Sequence, residues 1–449
     1  MQFALNFTKK KGFIMTFNPM EEKGIAIDKQ IRSWHDITLR PFNKTEVDCY
    51  TRTRQILMNG IEIEAWNFKH NFARISNDEE VNKFLADTKR IEDTQQTTIN
   101  WQTPADQSVL ETTLGYEQVA VDLTAWMAQN EPDKYVKETF DFGLLEDFDH
   151  LYRYSQWAYM EHGISPNDIV QKQTDVILGR PTQNHHNDNK IRLRKHYDKA
   201  TASPQTKVNI YTLVSGEQQT HNYYAEHGME YGNQCIRETY AEIKDVEEEH
   251  VTMYESLIDP NESLYEKLLL HEFTEVCCYY TCMEDEVDEK LKRVWEMFLE
   301  YEIGHLHVAA EIFKKREKRD PEEVIGKQIV IPCRFMSQKE YVSKILTTQI
   351  QKRLTQEKGY TNINELPEDW KSYKYQKELG KDGAPTENVI RIIQAAKGRD
   401  LVIADEKLKQ SAAGLLEKGL EPKAQAPDTI SIEEMKEMMK REEIVHECD

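Results

Sequence analysis

The chain has 449 residues, 39% of them hydrophobic and 10% aromatic, which is enough for two or three domains with substantial cores and excludes a disordered polyelectrolyte. Its 58 basic against 79 acidic residues, net −21, argue against nucleic acid or an anionic membrane surface as principal partner. No run approaches the roughly 18 apolar residues of a membrane helix, and the start MQFALNFTKKKGFIM lacks the ordered zones of a secretion signal, with Met15 and Met20 as alternative starts.

Residues 1–45 form an N-terminal segment. Apolar periodicity predicts helices at 46–73, 78–98, 105–130 and 136–162, with Glu131-Pro132-Asp133 and Gly163-Ile164-Ser165-Pro166 as breaks. Residues 164–206 carry Pro166, Gly179-Arg180-Pro181 and Ser203-Pro204 and read as a linker long enough to hold a short helix. A second set of helices is expected over 207–320, its middle crossing marked by Asp259-Pro260-Asn261 and its end by Arg319-Asp320-Pro321. Residues 321–449 are expected as a helical C-terminal extension, with helices at 337–357, 386–398, 404–418 and after Pro427, and with Trp370, Tyr373 and Tyr375 packing back on the rest. The expected fold class is all-α: two tandem four-helix bundles, 46–163 and 207–320, plus that extension.

The most informative pattern is metric. Glu217, Glu247, Glu272 and Glu302 are separated by 30, 25 and 30 residues, and His250 and His305 follow the second and fourth by three. Shifted back by 155 residues, the ladder lands on Glu62, Glu92, Glu117 and Asp147, with Gln95 and His150 at the histidine positions. Residues i and i+3 share a helix face, so each carboxylate-x-x-His pair can aim both groups at one interior point. A thirty-residue interval returns an antiparallel hairpin to the same height. Carboxylates gathered at one level would repel one another and lose their hydration unless a polycation neutralised them. One Glu from each of two helices and a Glu-x-x-His from each of two others is the ligand arrangement of di-iron and di-manganese carboxylate proteins. Glu443 and His446 repeat the local pair with no carboxylate at the matching distances upstream, and read as the polar surface of a terminal helix.

A family resemblance rests on these residues. Gly216-Glu217-Gln218-Gln219-Thr220-His221-Asn222-Tyr223-Tyr224 resembles the first-helix signature of rubrerythrins, Asp245-Val246-Glu247-Glu248-Glu249-His250 the second, Glu272-x-x-Glu275 with Tyr279 and Tyr280 the third, and Glu302-x-x-His305 the fourth. The resemblance covers residues 207–318 and is to the ferritin-like superfamily more than to any one activity. It implies two iron ions, or manganese, per chain. Glu217 and Glu272 would be terminal ligands, Glu247 and Glu302 bridges, and His250 and His305 one ligand each. Glu275 would be an extra carboxylate that shifts with redox state, and Tyr224 and Tyr279 would orient carboxylates, with ordinary core packing as the equal alternative for the two tyrosines. The chain has no rubredoxin-like module, so an external electron donor is implied.

The upstream copy departs from the pattern. Gln95 replaces a histidine, Asp147 is shorter by a methylene, and the tyrosine positions are Lys69 and Thr124. A vestigial bundle, with Lys69 neutralising leftover carboxylates, is the favoured reading. A second, altered metal site of Glu62, Glu92, Gln95, Glu117, Asp147 and His150, helped by Glu64 or His70, is the other. The seven cysteines form no C-x-x-C pair, Cys277, Cys278 and Cys282 read as packed thiols, and the odd count suits a reducing cytoplasm.

Three functional classes follow from the resemblance. The first is a di-iron or di-manganese oxidoreductase that reduces O2 or peroxide or oxygenates a small organic substrate. The second is a manganese-catalase-like peroxide dismutase, and the third a non-catalytic iron-binding or scaffold protein. Homo-oligomerisation is left open.

Overall fold

The computed structural model describes residues 17–174, 176, 187–380, 384–386 and 389. Eight long helices dominate it: α1 (Cys49–Ile75), α2 (Glu79–Asn100), α3 (Val109–Asn130), α4 (Lys134–His162), α5 (Pro204–His227), α6 (Gln234–Glu255), α7 (Leu264–Asp285) and α8 (Glu289–Glu317). Each starts where a short polar side chain accepts hydrogen bonds from the first free backbone N–H groups. These caps repeat at the period of the ladder: Asp48 and Ser203, Asp78 and Asn233, Ser108 and Ser263, Asp133 and Asp288. Ser108 and Ser263 even build matching capping boxes with Glu111 and Glu266. The mostly helical class agrees with the sequence reading, and α1–α4 fall within a few residues of the helices expected at 46–73, 78–98, 105–130 and 136–162.

Consecutive helices pair as hairpins, α1 on α2, α3 on α4, α5 on α6 and α7 on α8. The hairpins then combine crosswise. Contacts of α1 with α7 and of α2 with α8 close one ring of four helices, and contacts of α3 with α5 and of α4 with α6 close the other. Packing of α1 on α3 and α5 joins the rings. The expected tandem grouping, first four helices then last four, therefore does not describe the contacts. A hairpin closes its own loop, and the short connections 101–108 and 256–263 lead the chain from one ring into the other.

The apolar interior runs through both rings. Ile56, Leu57, Met127, Phe140, Met253, Phe273, Trp295 and Phe298 belong to the largest cluster, and Leu114, Phe148, Tyr154, Trp157 and Tyr240 to a second. Each such side chain contributes roughly 1.5–3 kcal/mol by leaving water. Cys277, Cys278 and Cys282 are buried free thiols within it, as the sequence suggests. No helix among the described residues is long and apolar enough to cross a membrane.

Among its described residues, the segment between α4 and α5 holds two short helices, Pro166–Ile169 and Asn189–Arg192. After α8, the expected helix over 337–357 is only partly present. Helix α9 (Lys339–Gln349) gives way to an antiparallel pair, β1 (Lys352–Thr355) and β2 (Gly359–Asn362). Gly359, with φ of +66°, provides the left-handed turn residue, and Leu354 and Thr355 are buried. Helix α10 (Lys371–Leu379) follows, with Trp370 buried and Tyr373 edge-on to it. The helices expected at 386–398, 404–418 and after Pro427, and the Glu443/His446 pair, lie outside the described residues apart from Thr386 and Val389.

Candidate metal centre

The hairpin exchange redistributes the ladder. Glu117 of α3, Asp147 and His150 of α4, Glu217 of α5, and Glu247 and His250 of α6 meet in one ring. Glu62 of α1, Glu92 and Gln95 of α2, Glu272 and Glu275 of α7, and Glu302 and His305 of α8 meet in the other. All thirteen are buried. The seven ligands expected to share one downstream site are thus divided: Glu217, Glu247 and His250 are in the first centre, and Glu272, Glu275, Glu302 and His305 in the second. The upstream set is divided too. Glu117, Asp147 and His150 complete the first centre, and Glu62, Glu92 and Gln95 lie in the second. Glu64 and His70 join neither; Glu64 lies 3.7 Å from His271, and His70 packs its ring on Trp66.

The first centre contains four carboxylates and two imidazoles in two adjoining groups, Glu117/His150/Glu247 and Asp147/Glu217/His250. Glu247 lies between them. Its Oε1 is 3.0 Å from His150 Nδ1 and its Oε2 is 3.1 Å from His250 Nδ1. His250 Nδ1 is also 3.4 Å from Glu217 and 3.5 Å from Asp147. Glu117 Oε2 and Asp147 Oδ2 accept no hydrogen bond, which is costly for buried carboxylates. Burial, then the charge of Glu247, pushes the Glu117 carboxyl well above its ordinary range; burial also raises Glu217, and raises Asp147 to about 7. Burial would raise Glu247 too, yet the His150 and His250 rings hold it below the usual carboxylate range. Burial opposes charge on His250, but Glu217, Glu146 and Glu247 keep its imidazole well above the ordinary value. Such a site strains to find positive charge, and unpaired oxygens facing two imidazole Nδ1 atoms fit divalent cations.

Side chains behind these residues hold them in place. His250 Nε2 is 2.9 Å from Glu146, whose carboxylate also receives Arg192 Nη1 and Nη2 at 2.7 and 2.6 Å. Arg192 Nε donates in turn to Glu249 at 2.7 Å. This chain fixes the His250 ring with Nδ1 toward the centre. Tyr224 Oη donates to Glu117 Oε1 at 2.5 Å. Glu146 and Arg192 escaped the sequence reading. Glu146 precedes a ladder position without matching its period, and Arg192 lies in the stretch read as linker.

The second centre is organised differently. Lys69 Nζ contacts Glu92, lies 2.8 Å from Glu272 and 3.9 Å from Glu275. Gln95 Nε2 donates to Glu302 at 2.8 Å and to Glu62 at 3.2 Å, and Tyr279 Oη donates to Glu62. His305 Nδ1 faces Glu302 at 3.0 Å, and its Nε2 is 2.7 Å from the Gln30 amide oxygen. Burial lowers the His305 imidazole to about 4 and raises Glu302 to about 7. Glu62 also lines a cavity of about 650 Å³, walled by Asn59, Trp66, Gln96, Gln219 and Asn222.

No protein-family model, curated protein or solved structure matches the chain.

Proposed function

We propose that the first centre holds two metal ions, iron or manganese, and that the protein is a ferritin-like di-metal carboxylate oxidoreductase acting on O2 or peroxide, with a small organic substrate as a further acceptor. The observation that carries this reading is Glu247, whose two oxygens each face an imidazole Nδ1 from a different helix, as a carboxylate shared by two cations requires. Glu117 and His150 would complete the ligands of one ion, and Asp147, Glu217 and His250 those of the other. Carboxylate and imidazole donors suit both metals. When bound, the pair supplies Lewis acidity and redox equivalents to an oxygen ligand.

The protein's own share is positional. Glu146 and Arg192 keep His250 in register, Tyr224 keeps Glu117 turned inward, and the surrounding core excludes bulk water. Glu275, the carboxylate expected to shift with redox state, belongs to the other centre. Its counterpart one repeat earlier is Ala120, so the first centre has no seventh ligand from that position. Reducing turnover would draw electrons from an external donor protein.

The test is elemental analysis of protein loaded anaerobically with Fe(II) or Mn(II), beside a His150→Ala/His250→Ala variant. About two ions per chain, lost in the variant, supports the reading; a wild-type chain that retains none ends it. Peroxide decay by the manganese form without reductant would move the assignment to dismutation.

A further inference from the structure

We infer that the second centre is a metal-free replica of the first, in which two nitrogens of the protein, Lys69 Nζ and Gln95 Nε2, stand in the two cation positions. The repeat supplies the correspondence. Glu117, Glu247 and His150 map onto Glu272, Glu92 and His305, and Asp147, Glu217 and His250 map onto Glu302, Glu62 and Gln95. In the first centre these are the two adjoining ligand groups. In the second, Lys69 Nζ meets the carboxylates of the former group, Glu92 and Glu272, and Gln95 Nε2 meets those of the latter, Glu302 and Glu62. Each nitrogen donates to one group, and Tyr279 Oη adds a donor to Glu62.

Lys69 replaces the residue that is Tyr224 one repeat later. A phenol at that position stops at one carboxylate oxygen of Glu117. An ammonium on a flexible four-carbon stem reaches two carboxylates and brings the positive charge with it. Gln95 keeps a donor where a histidine would present a metal-binding lone pair, and an amide nitrogen carries two N–H donors and no such pair. Glu62 of this centre also lines the cavity of about 650 Å³. What excludes an ion is the chemistry of two side chains, Lys69 and Gln95, both fully buried.

The experiment compares Mn(II) content of the wild type, of His305→Ala, and of Lys69→Tyr/Gln95→His. The wild type and His305→Ala should carry the same number of ions, and the double variant two more. Repeating the double variant on a His150→Ala/His250→Ala background separates this inference from the proposed function. There the only ions, and the only Mn(II)-dependent rise in thermal midpoint, should come from the second centre, whether or not the first binds metal in the wild type. A fall in metal content in His305→Ala overturns the inference, as does a folded double variant that gains none. If the double variant does not fold, the His305→Ala comparison decides alone.

Discussion

Arg54, in the first turns of α1, and Glu286, just beyond the end of α7, form a buried ion pair between the two sequence repeats. Arg54 Nε and Nη2 reach the two carboxylate oxygens at 2.8 and 3.0 Å, and Thr51 Oγ1 and Trp295 Nε1 add donors at 2.7 and 2.9 Å. One repeat away the junction recurs with neutral partners: Glu131, after α3, accepts from Thr206 at 2.6 Å and Asn209 at 2.9 Å. The two junctions tie each hairpin to one from the other repeat. Arg54→Met should cost about 3–5 kcal/mol, because Glu286 keeps its burial and loses its counter-charge. Asn209→Ala removes one hydrogen bond to a carboxylate, together with the bond from Gln205 Nε2, which keeps the Ile331 carbonyl as acceptor, and should cost about 1.5–3 kcal/mol. Urea denaturation of the two variants checks the ranking, and equal losses would contradict it.

The two junctions predict opposite pH dependences for the carboxylates themselves, and gaps between wild type and variant that both widen as pH rises. Burial would raise Glu286, but the hydrogen bonds and charge of Arg54 hold its folded value below the ordinary 4.5. A depressed carboxylate contributes its full stability above the unfolded value and loses it as pH falls through the folded one. The gap between wild type and Arg54→Met should therefore be widest near neutrality and narrow on acidification below 4.5. Burial raises Glu131 above 4.5, so its ionisation costs stability as pH rises through that region, and Asn209→Ala should become more damaging there. Stability gaps that stay constant from acid to neutral pH would show that neither carboxylate titrates as described.

Much of this was legible in the sequence because helices and ligand heights are local properties. The caps at Ser108 and Ser263, the i,i+3 pairs and the thirty-residue hairpin interval each follow from a few neighbouring residues. The choice of which hairpin faces which is not local. Hairpins of equal height present equivalent carboxylates, so the 155-residue ladder fits tandem and exchanged pairings equally well. That ambiguity put Glu217 with Glu272 when the structure puts Glu217 with Asp147. One available signal was Lys69 against Tyr224: a cation in one copy only marks two unlike centres. The β1–β2 pair was missed for a similar reason, since two four-residue strands look like the end of a helix until Gly359 is read as a turn.

Glu146 offers a prediction about affinity. It belongs to neither ligand group of the first centre, yet it holds His250 Nε2 and carries the Arg192 pair. Glu146→Gln keeps an acceptor for the imidazole but loses the charge that Arg192 clasps, so the ring should lose part of its fixed orientation. Metal affinity should fall about 10–100-fold, as for other partners behind a metal-bound histidine, while stoichiometry at saturation stays unchanged. Competitive titration against a chromophoric chelator measures this. An unaltered affinity would leave Glu146 with a packing role only.

Gly304 makes the covering of the second centre testable. It lies on α8 next to His305, where an added Cβ would stand 2.1 Å from the Ile25 carbonyl oxygen and 3.1 Å from Gln30 Nε2. The nearer atom is backbone and cannot rotate aside. Ile25 N donates to Glu300 O at 2.8 Å, Gln30 Nε2 donates to Ile25 O at 2.7 Å and to Tyr301 O at 3.1 Å, and Gln30 Oε1 meets His305 Nε2 at 2.7 Å. A methyl group at Gly304 must therefore lift the N-terminal segment and release these contacts together. Gly304→Ala should lose about 1–3 kcal/mol, the usual cost of overfilling a close contact, and should expose residues 24–30 to limited proteolysis. Because the residues of the first centre come from α3–α6, the metal binding proposed there should not change. Proteolysis at the wild-type rate would mean that the N-terminal segment accommodates the methyl without leaving α8.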